Sequence, residues 1–538
     1  MMNIPLNLST LLERAEKLFP KKLVISRTLS KTHRLTYKEI GERTRRLSSA
    51  LEKLGIEFGD KVATLAWNQH RHLEAYFAVP GLGAVLHMVN IRLSPEHLIY
   101  IINHAENKAV LFDEDLLPLV ERIADKLTTV KHFIIMSDQE ELPETTISPL
   151  YSYEKLLESG DPQFQFKRDF DENTPAGMCF TSATTGNPKG VVYTHRALVL
   201  HSFALGLVDT LALSERDVSM PVVPMFHVNA WGMPYAGTWF GTTQVLPGPQ
   251  FTPTILADLI EQEKVTVTAG VPTIWMGLLN EIEKGNRDMS SLRVIVCGGS
   301  APPPAMIKAY EQKHGIPFIN AYGMTETTPV ATVSLLKSYQ LNLPYEEQLV
   351  FKAKQGLLTP GLEMRIVSDK GDVKWDGQEM GELLLRGPWI ASEYYKEEGS
   401  EHIFADGWLH TGDIATVDEE GFVKLVDRTK DLIKSGGEWI SSQDLENALM
   451  GHEAVAEAAV VAVPSEKWDE RPVACVVLRE SYKGKTTEQE LIDYLAPKFA
   501  KWWLPDAVLF LEEIPKTSVG KMLKRALREQ IKGMVNIK

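Results

Sequence analysis

Short apolar, β-branched runs alternate with helix-period segments along most of this chain. KVATLAWN, GAVLHMVN, KAVLFD and KHFIIMS read as buried strands. Between the second and third, SPEHLIYIINHAEN reads as a helix, with Ser94 as N-cap, Pro95 at its first position and Leu98, Ile101 and Ile102 facing inward. DVSMPVVPMF, TTQVLPG, VTVTAG, LRVIVCGG and PFINAYG continue the strand pattern, separated by helices such as TPTILADLIEQE and PPPAMIKAYEQK. This alternation predicts a largely parallel α/β architecture, with ligands held where loops leave the carboxyl ends of the strands. The N-terminal MMNIPLNLSTLLERAEKLFPKK reads as an amphipathic helix rather than a signal peptide. Thr10-Leu11-Leu12-Glu13 resembles a capping box, and Leu11, Leu12, Ala15, Leu18 and Phe19 share one face.

Near residue 427 the pattern changes. GFVKLVDRTKDLIKSGGEW is short strands and turns, followed by a helix, two strands around a polar turn (EAAVVAVPSEKWDERPVACVVLRE), a helix from Thr487 and a basic end. The expectation is a large α/β domain of several subdomains over 1–427. A small, mobile α+β domain follows over 428–538, linked around Arg428–Asp431. The 538 residues also exceed what one core supports, since single cores stop growing at about 250–300 residues.

Composition narrows the function. A net charge of −14 without a long Lys/Arg block argues against a nucleic-acid binder. A polyanion such as ATP would need local lysines and arginines at its site. Cys179, Cys297 and Cys475 lie far apart, in no metal or disulfide pattern, and read as reduced, buried cysteines of a cytoplasmic protein. The most apolar of the longer stretches, AYFAVPGLGAVLHMVNI, is broken by Pro80, two glycines, His87 and Asn90, so it does not read as a membrane span.

The candidate chemistry starts at FTSATTGNPKG (Phe180–Gly190), a small hydroxylated loop with a lysine. It follows the strand-like AGMCF and precedes the helix-like RALVLHSFALGL, where backbone N–H groups and a helix N-terminus can hold phosphate oxygens. It lacks the Gly-Lys-Ser/Thr of a Walker A loop, as does Gly520-Lys521-Met522. Further along come VCGGSAP (Val296–Pro302), AYGMTE (Ala321–Glu326), WLHTGD (Trp408–Asp413), DRTKDLIKSGGEW (Asp427–Trp439) and PKTSVGK (Pro515–Lys521). Each alone has a plain structural reading: Glu326 as a helix cap, Asp413 as a turn acid, Lys521 as one more basic residue near the C-terminus. Their joint occurrence in this order is what carries information.

The set resembles the adenylate-forming superfamily of acyl-CoA synthetases, non-ribosomal adenylation domains and luciferases, over nearly the whole chain from LTYKEI (Leu35–Ile40) to PKTSVGK. Within it, GAVLHMVNIRLSPEHLIYII, VPMFHVNAWGMPY and IKSGGEWISSQDLENAL resemble bacterial medium- and long-chain fatty-acid–CoA ligases. That resemblance implies an acid–thiol ligase that uses ATP to form an acyl-AMP, releases pyrophosphate, and passes the acyl group to CoA.

The resemblance also implies roles. Thr181, Ser182, Thr184, Thr185 and Lys189 would contact the triphosphate, with Ala183 where most relatives carry glycine. Glu326 and Thr181 would hold Mg²⁺. Tyr322 would stack on adenine, Gly299, Asn320 and Ala321 would line the base, and Thr325 would reach the α-phosphate. Asp413 would accept both ribose hydroxyls, with Arg428 as a second ribose contact. Lys521 would be the main catalytic residue of adenylation, and Lys430 the hinge about which the small domain turns. Gly436 and Gly437 would then frame the CoA side, while Lys434 and Trp439 sit where fatty-acyl relatives contact the nucleotide. His227, Val228 and Trp231 would line the acyl pocket; on pattern alone, His227 reads as a core histidine and Trp231 as plain core. Alternatives stay open: adenylation of an aryl or short branched acid, transfer to a carrier protein, or a catalytically impaired nucleotide-binding homologue, favoured only by Ala183. The expected partners are small molecules, with a homodimer and peripheral membrane contact as further expectations.

Overall fold

The computed structural model describes residues 1–181, 187–285, 287–436, 438–465, 467–516 and 522–534. Among these, the chain builds a large N-terminal α/β domain and a smaller C-terminal one, around four sheets.

The first sheet has a parallel centre: Val294–Cys297, Val267–Gly270, Val218–Pro221, Thr243–Leu246 and Leu23–Arg27 run side by side. Phe318–Gly323 extends it in parallel at one side, before Val330–Val333 and Leu357–Leu358 turn antiparallel. The second sheet is parallel from Leu150–Ser152 through His132–Met136, Asn107–Asp113, Lys61–Leu65 and Val85–Met88 to Pro175–Phe180, with Gly190–Thr194 antiparallel at its edge. These are the apolar runs of the sequence. They are buried on both faces because helices cover each side, which is why they read as continuous rather than alternating. Helix Pro95–His104 begins as expected, with the Ser94 hydroxyl accepting from the His97 N–H at 3.3 Å. The three cysteines are free and buried.

Three expectations need correction. The N-terminal helix runs from Ser9 to Leu18, so Thr10 lies inside it and forms no capping box; its hydroxyl donates to the Asn7 carbonyl at 2.6 Å, and Asn7 Oδ1 accepts from the Ser9 N–H at 3.1 Å. Leu11, Leu12 and Ala15 are buried, but Leu18 is 61% exposed because the chain leaves the core in the last turn. The phosphate-type loop does not lead into a helix. It joins two antiparallel strands, Pro175–Phe180 and Gly190–Thr194, and helix His195–Leu205 starts only after them, its N-terminus already capped by Thr194.

A third sheet, wholly antiparallel, orders Gly371–Asp372, Glu363–Ser368, Gly381–Arg386, Leu409–Val417 and Val423–Arg428. The fourth belongs to the small domain: Glu438–Ile440, Ile433–Ser435, Asp469–Leu478 and Val455–Ser465 are antiparallel, and Ala507–Phe510 adds in parallel. Its helices Ser442–Met450 and Glu488–Leu495 pack with it on a separate apolar cluster that includes Ile433, Leu445, Val460, Val476 and Leu491. No helix among the described residues is long and apolar enough to cross a membrane.

Buried histidines give the fold a pH dependence. His201 is 1% exposed, and burial pushes it down to about 3. Its Nε2 accepts from the Val330 N–H at 3.2 Å, which only a neutral ring can do. An unfolded histidine titrates near ~6.5, so between that value and the folded one the unfolded chain binds more protons, and stability rises with pH. His201 therefore contributes fully above about pH 6.5, and the contribution shrinks by about 1.4 kcal/mol per pH unit below it. The stability gap between the native chain and His201→Asn, followed by urea unfolding, will narrow as the pH falls from neutral. A gap that stays constant would show that the ring is not held neutral.

Candidate active site

One cavity of about 1000 Å³ opens where the parallel strands of the first sheet end, between the large and small domains. The chain reaches it from many places. Thr181 and Lys189 come from the two ends of the hydroxylated loop, His227, Val228 and Trp231 from the segment after strand Val218–Pro221, and Gly299 from the turn after Val294–Cys297. Asn320, Ala321, Tyr322, Thr325 and Glu326 come from strand Phe318–Gly323 and the turn beyond it, Asp413 and Arg428 from the antiparallel third sheet.

The polar lining is tightly organised. Asp413, buried, accepts from the Tyr322 hydroxyl at 2.6 Å through Oδ2 and pairs with Arg428 Nε at 2.7 Å through Oδ1. The Asp413 charge pushes the Arg428 guanidinium up, against the opposing effect of burial, and burial with the Asp413 charge pushes the Tyr322 phenol well up. Neighbouring strands make this possible: Asp413 and Arg428 are direct partners in the third sheet. Thr325 is tied from below by the Tyr193 hydroxyl, which donates to its carbonyl at 2.9 Å. Glu326 is 5% exposed, and burial pushes its carboxyl up, opposed by a hydrogen bond from the Tyr394 hydroxyl. Thr181 and Lys189 close the hydroxylated loop: the Thr181 N–H donates to the Lys189 carbonyl at 2.9 Å, and the Lys189 N–H to Thr181 Oγ1 at 3.1 Å. Asn320 is buried, with Nδ2 donating to the Lys354 carbonyl at 2.9 Å.

Part of the cavity lining is apolar. Val222, Val223, Phe251, Ile274, Met276 and Met306 contribute to it. Beside it, Val228, Asn229, Ala230 and Trp231 hold φ of 46°, 56°, 47° and 56°, four successive non-glycine residues in the left-handed region. Each such residue costs about 1–2 kcal/mol, so the turn that presents Trp231 stores strain next to the cavity.

The small domain supplies a wall too. Lys516, Met522, Lys524, Arg525 and Arg528 line the cavity, and Lys516 pairs with Met522 as in an antiparallel strand. Helix Ser442–Met450 is docked by the large domain: the Asp427 carboxylate accepts from the Ser442 N–H at 3.0 Å, and Lys424 pairs with Asp444 at 2.8 Å. Lys430 lies at the cavity, its ammonium pushed down by burial, and the neighbouring Asp431 pairs with Arg528 at 2.6 Å.

Not every candidate residue meets this cavity. Ser182, Thr184, Thr185, Gly437 and Lys521, with Ala183, lie outside the described residues. Lys434, Gly436 and Trp439 do not line it; they sit on the hairpin of Ile433–Ser435 and Glu438–Ile440, where Trp439 is 44% exposed. Gly436 is required there, since its φ is 61° and a Cβ would meet Trp468 at 3.0 Å. In this arrangement of the domains, Lys434 and Trp439 stand apart from the residues that line the cavity. Sequence reasoning also missed Tyr394, whose EYYKEEG context carries no signal; its partner Glu326 is far away along the chain.

Comparison with known proteins agrees with this geometry. The AMP-binding enzyme family matches residues 12–395, and the AMP-binding enzyme C-terminal domain matches 444–521. A long-chain-fatty-acid–CoA ligase of Thermus thermophilus is 53% identical over 538 residues, covering 99% of this chain and 97% of its own. A 3-methylmercaptopropionyl-CoA ligase of Ruegeria lacuscaerulensis is 45% identical (99% and 98% covered), and a medium-chain-fatty-acid–CoA ligase of Ectopseudomonas oleovorans 43% (98% and 97%). Among solved structures, the anthranilate CoA ligase AuaEII in complex with anthranoyl-AMP superposes with a TM-score of 0.88 at 25% identity, covering 99% of this chain and 98% of that one. O-succinylbenzoate CoA synthetase (MenE) of Bacillus subtilis, in complex with ATP and magnesium ion, gives 0.79 at 25% identity, covering 96% and 99%. With two family models matched along its length and relatives aligned end to end, this chain belongs to the AMP-binding enzyme family.

Proposed function

We propose that this chain is an ATP-dependent fatty-acid–CoA ligase that works through an acyl-AMP. The observation that carries the reading is the mixed lining of one cavity: a polar group, Thr181, Glu326, Tyr322, Asp413 and Arg428, and an apolar group, Val222, Ile274, Phe251, Met276 and Met306, that belongs to or packs against one hydrophobic cluster. A molecule that is charged at one end and an alkyl chain at the other fits that lining.

A carboxylate is a poor acyl donor because its oxygen leaves badly. In the first step a carboxylate oxygen attacks the α-phosphorus of ATP, the bond to the β-phosphate breaks, and pyrophosphate departs. In the second, the CoA sulfur attacks the acyl carbon, the carbon–oxygen bond to AMP breaks, and the thiol proton is lost to solvent. Two anions meet in the first step, so cations and donors must offset their repulsion. Asp413 accepts from the ribose hydroxyls, with Arg428 beside it; Tyr322 packs on the adenine, with Gly299, Asn320 and Ala321 at its edge. Thr325 reaches the α-phosphate, and Lys189 with Thr181, Ser182, Thr184 and Thr185 surrounds the β- and γ-phosphates. Lys521 bridges the attacking carboxylate and the α-phosphate as a compact positive charge. His227, Val228 and Trp231 flank the acid.

The donor set suits Mg²⁺. Glu326 is a buried carboxylate at the cavity wall with Thr181 at the same cavity, and magnesium bound to a nucleotide takes few protein ligands beyond phosphate oxygens and water. Bound there, the ion would neutralise phosphate charge. The domains divide at 427/428, with Lys430 as the hinge. In the described arrangement Lys516 and Met522 line the cavity. Turning about Lys430 would withdraw them and bring Gly436, Gly437, Lys434 and Trp439 toward CoA.

The 45% identical 3-methylmercaptopropionyl-CoA ligase favours a second reading, a short acid as substrate. Pyrophosphate release, measured with acids from acetate to stearate and with benzoate, distinguishes them. Release will rise with alkyl length to an optimum among medium or long chains, and thioester will form only when CoA is present. An optimum at the shortest acids or at benzoate would replace the fatty-acid reading, and no release with any acid would remove the enzyme reading altogether.

A further inference from the structure

Tyr394, a buried side chain at the cavity wall, has no part in the roles above. It lies on the loop that follows strand Gly381–Arg386. Its hydroxyl donates to Glu326 Oε1 at 2.5 Å. The face of the same ring carries the Lys189 ammonium, 4.9 Å from the ring centre, with Glu397 3.9 Å from that ammonium on the same loop. The loop also grips Glu326 through its backbone, the Ala391 N–H donating to the Glu326 carbonyl at 2.8 Å. Phe404 packs edge-on against the Tyr394 ring at 5.1 Å, which fixes the ring from behind.

One rigid aromatic side chain thus touches two groups of the polar lining at once, with its tip on a carboxylate and its face under a lysine. A carboxylate has lone pairs on both oxygens; a donor on Oε1 fixes the rotation of the group and leaves Oε2 for a cation. Hydrogen bonds to metal-binding carboxylates matter nearly as much as the carboxylates themselves, and losing one costs about 10–100-fold in metal affinity. A lysine held over a ring face, with its nearest carboxylate at the 3.9 Å of Glu397, is pre-placed and still open to a phosphate.

We propose that Tyr394 is a positioning residue that orients Glu326 toward a nucleotide-bound divalent cation and holds Lys189 in place for the phosphates. The proposal rests on the reading of Glu326 as the metal carboxylate. Tyr394→Phe keeps the ring and removes the hydroxyl; Tyr394→Leu removes both. Binding of Mn²⁺ to the protein carrying a non-hydrolysable ATP analogue, followed by electron paramagnetic resonance, reads the carboxylate. Calorimetric binding of the same analogue without metal reads the lysine.

Tyr394→Phe will weaken Mn²⁺ binding about 10–100-fold and leave metal-free analogue binding unchanged. Tyr394→Leu will weaken both; if that variant does not fold, Tyr394→Phe carries the test alone. Native-like Mn²⁺ affinity in Tyr394→Phe, or a parallel loss of metal-free binding, overturns the proposal. Glu326→Gln separates the two levels. If Glu326→Gln binds Mn²⁺ like the native chain, the metal reading fails and takes the proposal with it. If it loses Mn²⁺ while Tyr394→Phe does not, the proposal for Tyr394 fails alone.

Discussion

Replacing Lys521 with alanine will slow acyl-AMP formation by about 10²–10³-fold, the cost of deleting one well-placed charge from a desolvated site. Acyl-AMP supplied to the variant, with CoA, will still be converted to thioester at close to the native rate. The asymmetry follows from charge. Adenylation brings a carboxylate against a triphosphate, so it needs a cation at the point of attack; thioester formation starts from a mixed anhydride with an activated carbonyl and has no such repulsion to offset. Lys521 belongs to the segment whose flanks, Lys516 and Met522, already line the cavity. Quench-flow measurement of acyl-AMP, set beside thioester formation from added acyl-AMP, decides it. Equal loss of both half-reactions would sink the idea that the small domain presents different faces to the two steps.

The second large effect concerns stability, far from the cavity. Glu74 is fully buried on helix His70–Gly81. It accepts from Arg43 Nε at 2.6 Å and from the Tyr153 hydroxyl at 2.5 Å. Arg43 continues to Glu154 at 2.9 Å, and Glu154 accepts from Arg71, which reaches Asp138 at 2.7 Å. The network therefore pins helices Tyr37–Lys53, His70–Gly81 and Tyr153–Glu158 to one another. Glu74→Ala removes that carboxylate, leaves the buried Tyr153 hydroxyl without its acceptor and leaves the mostly buried Arg43 with Glu154 alone, a change that costs about 3–5 kcal/mol. Urea unfolding will show that loss, while turnover per folded molecule stays close to native. Adding Arg43→Met will recover part of it, because a mostly buried guanidinium then held by Glu154 alone is removed from the interior. A loss below about 1 kcal/mol would mean that solvent reaches Arg43 well enough to replace Glu74.

The sequence carried much of this protein. Parallel strands covered on both faces have no polar side, so runs such as KAVLFD and VIVC announce themselves, and Ser94 with Pro95 marks a helix start by local chemistry alone. The motif set likewise pointed to the family and to several polar residues that line the cavity, among them Thr181, Lys189, Tyr322, Glu326, Asp413 and Arg428. Local reading failed where partners are distant. Thr10 looked like a cap, but helix entry is set by Asn7. The hydroxylated loop looked like the entrance to a helix, but the residues after it pair back as a strand.

The tertiary structure alone decided the rest. It set Tyr394 against Glu326 and Lys189, and it paired Asp413 with Arg428 across a sheet whose strands gave little signal of their own. The reason is physical: a side chain's type and its neighbours in the chain fix what chemistry it is capable of, whereas its charge state, orientation and partner are fixed by burial and by groups that only folding brings within a few ångströms.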